Sequence, residues 1–248
     1  MRRFFVPADA IEGDLALVEG ALAHRLASVL RLRPGDEVAL FDGGGRDVAV
    51  TLREVSARKV IGDVTASSPS PAEPRTRVHL YQSITKGDRF EWLVEKATEI
   101  GMASIAPLIT SRAVVRTPGE GTRAERWRRI ATEAAEQCER GAVPVIDTPV
   151  VLKDAVASAR GIVLLPYEEA GERAPSIGDV LRERIDELYA TAEVSILIGP
   201  EGGLEASEAE EATVAGAVVV TLGERVLRSE TAGLVALTLV LAACGELG

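Results

Sequence analysis

Two stretches near the C-terminus hold residue types that could do chemistry. One is "ILIGPEGGLEASEAEEA" at 196–212, the other "LGERVLRSETAG" at 222–233. Each leads through a glycine-bearing loop into a helical pattern. Glycine-rich loops between a strand and a helix mostly hold phosphate, because backbone N–H groups and the helix dipole favour an anion. Here Glu201 stands in the middle of the first loop, and a fixed carboxylate repels phosphate. A neutral or cationic ligand is expected instead. Pro200 fixes the chain direction, while Gly202 and Gly203 let the backbone come close to a ligand. Exposed backbone groups there can recognise an adenine edge and ribose hydroxyls, and Glu201 can accept from a hydroxyl or face a positive centre. In the second loop Ser229 reads as the N-cap of a long apolar helix, flanked by Arg228 and Glu230. A third loop, "LLPYEEAGERAPS" at 164–176, also follows an apolar run. If the three runs are neighbouring strands, their loops converge on one crevice.

The elements that must position these loops show in the periodicity. "GIVLLP", "VSILIG" and "AVVVTLG" are short apolar runs bounded by turn residues, as parallel strands covered on both faces are. "VHLYQSI" and "ASIAPLI" read as two more strands. "DRFEWLVEKATEIG" predicts a helix with Phe90, Leu93, Ala97 and Ile100 on one face and Gly101 as its stop. "RAERWRRIATEAAEQCERG" predicts another, with Trp127, Ile130, Ala134 and Cys138 facing the core. Helical segments follow the late strands at 176–188, 205–215 and 229–244. This is an α/β domain over 78–248, and ligands of such sheets bind beyond the carboxyl ends of the strands.

The first seventy residues differ in texture. "DEVALFD", "RDVAVTLREV" and "KVIGDVT" alternate like strands, with a hairpin turn at "GGG" and a short helix at about 21–32 ahead of them. A compact β-barrel with a helix at its side is expected over 1–70. "ASSPSPAEPRTR" at 66–77 is rich in proline and serine, which argues against a helix or a central strand. It reads as a linker, with 71–77 joining the two domains.

The net charge of −10 argues against nucleic acid until its distribution is seen. Residues 146–248 hold 18 acidic and 7 basic side chains, so the excess acid lies there and the rest of the chain is nearly neutral. Basic surfaces on that part permit RNA binding. No apolar stretch approaches the roughly 20 residues that span a bilayer, and Pro7 and Asp9 interrupt the start as a signal peptide. Two cysteines exclude a disulfide framework, and His24 and His79 have no metal-binding spacing. A cytoplasmic protein without a metal is the expectation.

In combination, "IGPEGG" and "LGERVLRSETA" resemble the paired signature of the ribosomal small subunit methyltransferase E family, within the SPOUT superfamily. "RRFFV", "HRLASVLRLRPGDEVALFDGGG", "KGDRFEWLVEKATEIG" and "EAAEQCERGAVP" match the family's blocks in order, over nearly the whole chain. Glu205 departs from it, standing where a Ser or Thr cap is usual. The resemblance implies a PUA-like β-barrel followed by a SPOUT-type parallel sheet whose C-terminal end forms a trefoil knot. It also implies a homodimer that uses S-adenosylmethionine to methylate N3 of one uridine in 16S ribosomal RNA. This cofactor carries a sulfonium and no phosphate, which suits a loop containing Glu201.

Under that resemblance Arg228 stabilises charge on the uracil oxygens, and Glu201 or Glu230 orients the arginine or accepts the proton. Cofactor contacts fall on Leu165, Pro166, Ile198, Gly199, Pro200, Glu201, Gly203, Leu222, Gly223, Val226, Leu227 and Thr231. RNA contacts fall on Arg2, Arg3, His24, Arg31 and Arg33, extended by Arg112, Arg116 and Arg140. Lys96, Glu99 and Gln137 are candidates for ordering the site or a dimer interface. Two other functions fit the same letters: a related methyltransferase for transfer RNA or a ribose 2′-hydroxyl, and a non-catalytic RNA-binding assembly factor.

Overall fold

A computed structural model describes residues 1–113, 122–171 and 174–247. The chain forms two compact units, Met1–Glu73 with Ala135–Val143, and Pro74–Ala134 with Pro144–Gly248. Residues 135–143 were expected with the second unit. Tertiary pairing draws them to the first, where Gly45 N donates to the Gly141 carbonyl at 3.0 Å and Glu73 accepts from Ala142 N at 2.9 Å.

The first unit holds strands β1 (Arg2–Phe5), β2 (Ile11–Glu12), β3 (Leu15–Glu19), β4 (Glu37–Phe41), β5 (Arg46–Val55) and β6 (Lys59–Pro69). They form one sheet in the order β1-β4-β5-β6-β3-β2. All pairs are antiparallel except β1 with β4. Alternate residues Val38, Leu40, Val48, Val50 and Leu52 bury one face against Phe4, Ala23 and Leu26. Among the described residues no β1–β2 pairing closes this sheet. The helix beside it is α1 (Gly20–His24), continued by a π-helical turn at Arg25–Val29.

The proline-rich stretch was expected to be a linker holding no helix or central strand; its first residues, Ala66 to Pro69, instead continue β6. There it pairs only with β5, because β3 ends its pairing at Asp63. The far end of β6 is therefore a local sheet edge, where a proline without an N–H is tolerated.

The second unit holds β7 (Arg77–Ser83), β8 (Ser104–Ile109), β9 (Val145–Ile146), β10 (Val150–Val151), β11 (Ile162–Pro166), β12 (Glu193–Ile198) and β13 (Val218–Val220). Their order is β10-β8-β7-β12-β11-β13, with β9 beside β8, and every pair is parallel. Helices are α2 (Arg89–Ile100), α3 (Thr122–Gln137, whose last three residues belong to the first unit), α4 (Leu152–Ser158), α5 (Ile177–Glu183), α6 (Ile185–Thr191), α7 (Ala206–Val214) and α8 (Ser229–Ala243).

α2 and α8 pack together, and α8 also lies against β7 and β12. α2 buries Phe90, Leu93, Val94 and Ala97, at the spacing its sequence shows. α4 and α7 pack on one another over a cluster that includes Leu108, Leu165, Leu197 and Leu204. With all strands parallel, the loops after β8, β7, β12, β11 and β13 emerge along one edge. The three late strands are neighbours in the order β12-β11-β13, so their loops share that edge.

Candidate functional site

The loops after β11 and β13 enclose a cleft of about 90 Å³ lined by Pro166, Leu222, Gly223, Val226 and Leu227, all candidates from the sequence. Tyr167, Glu168, Thr221, Glu224, Arg225 and Ala232 complete it. Val226 is fully outside the core, at the mouth of the cleft. Leu165 and Ile198 are buried. The Leu165 side chain packs with Leu197 and Leu204, so only its backbone can meet a ligand.

The loop after β12 is tied in from both sides. Ser229 Oγ donates to the Gly199 carbonyl at 2.6 Å and accepts from Gln82 Nε2 at 2.8 Å. Ser229 was expected as the N-cap of α8. The helix instead starts on it, with Arg228 in the cap position and no side-chain cap. The hydroxyl serves the neighbouring loop because the Gly199 carbonyl there would otherwise lose its partner. Gly203 adopts φ +70°, and a Cβ on it would stand 2.3 Å from Glu168 Oε1. That close approach places a carboxylate of the cleft against the glycine loop. Pro200 is buried, and Thr231 sits half-buried in the first turn of α8.

Glu201 or Glu230 was expected to orient Arg228 or to accept the proton; in the structure both carboxylates face Arg89, at 3.9 Å and 3.7 Å. Lys86 N also donates to Glu201 Oε1 at 3.2 Å. Glu230 is buried, and its Oε2 has no hydrogen-bond partner among the described residues. Arg228 is exposed and has no ion pair among the described residues. Arg89 escaped the sequence reading because an arginine opening a helix looks like any solvated charge. Gln82, a polar residue inside the strand "VHLYQSI", is fully buried and donates to Ser229 Oγ.

The RNA candidates divide by burial. Arg2, His24, Arg31 and Arg33 are exposed on the first unit. Arg3 is not available: its side chain is buried, paired to Asp47, and stacked 5.0 Å over Phe41. Arg140 is likewise buried and paired to Glu73 at 2.9 Å. Both serve the fold, since a buried cation needs a fixed counter-charge. Arg112 is half-exposed and donates to the Gly202 carbonyl at 3.1 Å. Arg116 lies outside the described residues.

Lys96 pairs with Glu95 and Glu99 on α2. Glu205 caps α7, its N–H donating to Glu208 at 2.9 Å, so the departure from Ser or Thr leaves the helix start satisfied.

His79 lies near the amino end of β7, with Nδ1 2.8 Å from Ser104 Oγ and Nε2 3.5 Å from Glu193. Burial pushes its pKa below 6.5, aided by Arg160 and Arg77 and opposed by Glu193. The unfolded chain binds that proton more readily, so the associated stability is full above about pH 6.5 and is lost as pH falls toward the folded value. Thermal melts are expected to show a falling Tm between about pH 7 and pH 5.5, and His79→Asn should flatten that slope. An unchanged slope would assign it to other groups.

Among the described residues no group of three His, Cys, Asp or Glu side chains could hold a metal ion. No described helix is long and apolar enough to cross a membrane.

A cleft lined by two carboxylates, Glu168 and Glu224, and one cation, Arg225, with a glycine loop beside it, suits a cationic nucleoside better than a nucleotide. Comparison with known proteins agrees. Residues 72–241 match the family described as RNA methyltransferase domain, and residues 18–65 match the RNA methyltransferase PUA domain. Ribosomal RNA small subunit methyltransferase E of Mycobacterium bovis is 33% identical, over 94% of this chain and 88% of its own. The Bacillus subtilis protein of the same name is 29% identical, over 97% and 96%. The crystal structure of the Neisseria gonorrhoeae protein of that name, bound to S-adenosyl methionine, superposes with a TM-score of 0.82 at 28% identity, covering 98% of this chain and 97% of that one. This chain therefore belongs to the ribosomal RNA small subunit methyltransferase E family of RNA methyltransferases.

Proposed function

We propose that this protein methylates N3 of one uridine in 16S ribosomal RNA with S-adenosylmethionine. The observation that carries it is the clasp: Ser229 joins the loop after β12 to the start of α8, beside the cleft between β11 and β13. Pro166, Leu222, Gly223 and Leu227 would hold the nucleoside, and Glu168 would face its positive end. When bound, the cofactor supplies a methyl group on a sulfonium sulfur.

The protein's own part is to position the base and to manage one proton. Loss of the N3 proton leaves negative charge on the uracil oxygens, which the unpaired Arg228 guanidinium stabilises. Glu230 accepts the proton, because its Oε2 is buried and uncommitted while Glu201 is already bonded to Lys86 N.

The exposed Arg2, His24, Arg31 and Arg33 make the first unit a PUA-like barrel module that holds RNA by its phosphates and shape. The last segment is read as a trefoil knot. In support, the chain leaves β13 at the sheet edge, beyond β11, and returns to Gly199 at the end of β12. A homodimer is supported by apolar side chains that stay exposed on two packed helices, Trp92 on α2 and Leu239 on α8. The protein works in the cytoplasm without a metal, its partner being 16S rRNA or the small ribosomal subunit.

Nucleoside mass spectrometry of RNA from a strain lacking the gene tests the assignment. Loss of 3-methyluridine from 16S rRNA is expected. Loss of a 2′-O-methyl group from transfer RNA would overturn it.

A further inference from the structure

The carboxyl edge of the second sheet has two halves, divided by β12. On one side lies the cleft between β11 and β13. On the other lie the loops after β7 and β8. In this half stand three exposed or half-exposed cations, Lys86, Arg89 and Arg112. Each reaches the loop after β12: Lys86 through its N–H to Glu201, Arg89 through its guanidinium to Glu201, and Arg112 to the Gly202 carbonyl.

The same half holds a concentration of buried polar atoms without partners among the described residues. They are Gln82 Oε1, Ser83 Oγ, Thr85 Oγ1, Thr110 Oγ1 and Glu230 Oε2. Four lie in or just past the ends of β7 and β8, and the fifth is in the first turn of α8. Unpaired buried polar groups cost free energy and mark places where a fold serves something other than its own stability.

Charge separates the halves as well. The cleft carries two carboxylates, Glu168 and Glu224, against one cation, Arg225, whereas the β7 and β8 loops present Lys86, Arg89 and Arg112 beside Asp88. The Lys86 ammonium makes no ion pair among the described residues, and only its backbone is engaged. A cation left free beside the reacting centre is suited to a phosphate, as a compact point charge.

We propose that the turn Thr85–Arg89 after β7 is the place where the strand carrying the target nucleotide lies, with Lys86 on a backbone phosphate and Arg89 holding Glu201 and Glu230 in position. This rests on the methyltransferase function given above and adds the side from which the RNA enters. Lys86 binds RNA and takes no part in binding the cofactor. Arg89 is a positioning residue that acts through the two carboxylates.

The test compares Lys86→Glu, Arg89→Ala and Arg89→Lys with the wild-type protein. Methyl transfer to small ribosomal subunits is measured across RNA concentration and salt, and S-adenosylmethionine binding by calorimetry. Lys86→Glu should raise the KM for RNA about tenfold, reduce the salt dependence by about one phosphate's worth, and leave kcat and cofactor affinity within about twofold. Arg89→Ala should lower kcat with a smaller change in KM, and Arg89→Lys should recover part of it. An unaltered RNA KM in Lys86→Glu beside an active wild type overturns the proposal alone. So does a parallel loss of cofactor affinity. A wild type that binds the cofactor but transfers nothing to ribosomal RNA overturns the function and the proposal together.

Discussion

Arg228→Ala should lower the rate of methyl transfer by about 100- to 1,000-fold while leaving S-adenosylmethionine affinity within about threefold. The expectation follows from where the structure leaves this arginine. It precedes α8 in an extended conformation, is exposed, and is not held by Glu201 or Glu230, which face Arg89. A guanidinium spent on a buried ion pair would be a structural element, as Arg3 and Arg140 are. An unspent one, next in the chain to Leu227 of the cleft, is free to meet charge that develops only during reaction, and such interactions act on kcat rather than on binding. Rate and cofactor affinity measured together decide the matter. An equal loss of both would place Arg228 among the residues that shape the cleft.

The second large effect belongs to Ser229. Its hydroxyl joins the loop after β12, the end of β7 and the start of α8. Ser229→Ala removes a donor from the partly buried Gly199 carbonyl and the nearest acceptor from the buried Gln82 amide, which keeps longer contacts to the Ser83 and Ser229 carbonyls. A polar group left unsatisfied in such surroundings costs about 1–3 kcal/mol. Denaturant unfolding should show a loss of about 2 kcal/mol, and calorimetry a roughly tenfold weaker S-adenosylmethionine affinity. Loss of stability with full cofactor affinity would separate the clasp from the binding site.

Much of the framework is legible in the letters, for physical reasons. The late strands are buried on both faces, so they read as apolar runs, and α2 shows its core face at helical spacing. The glycine loops announce themselves because only glycine tolerates conformations such as that of Gly203. What stays hidden is decided by tertiary partners. Arg3 and Arg2 look alike in sequence, yet one is paired to Asp47 and the other is exposed. Ser229 is a good N-cap by local rules, but a distant carbonyl competes for its hydroxyl. Arg89 meets its carboxylates across loops far apart in the chain. Pro69 ends a strand because β3 has already stopped alongside. Local propensity cannot see any of these.

The central claim is that the clasped loops deliver a methyl group to N3 of a uridine in 16S rRNA. Its most direct test is reconstitution. Small ribosomal subunits from a strain lacking the gene are incubated with the purified protein and S-adenosylmethionine bearing a deuterated methyl group, and the RNA nucleosides are analysed by mass spectrometry. The label should appear in 3-methyluridine of 16S rRNA, and the Arg228→Ala protein should leave it nearly absent. Label in a ribose 2′-O-methyl group, or none with the wild-type protein, would contradict the account.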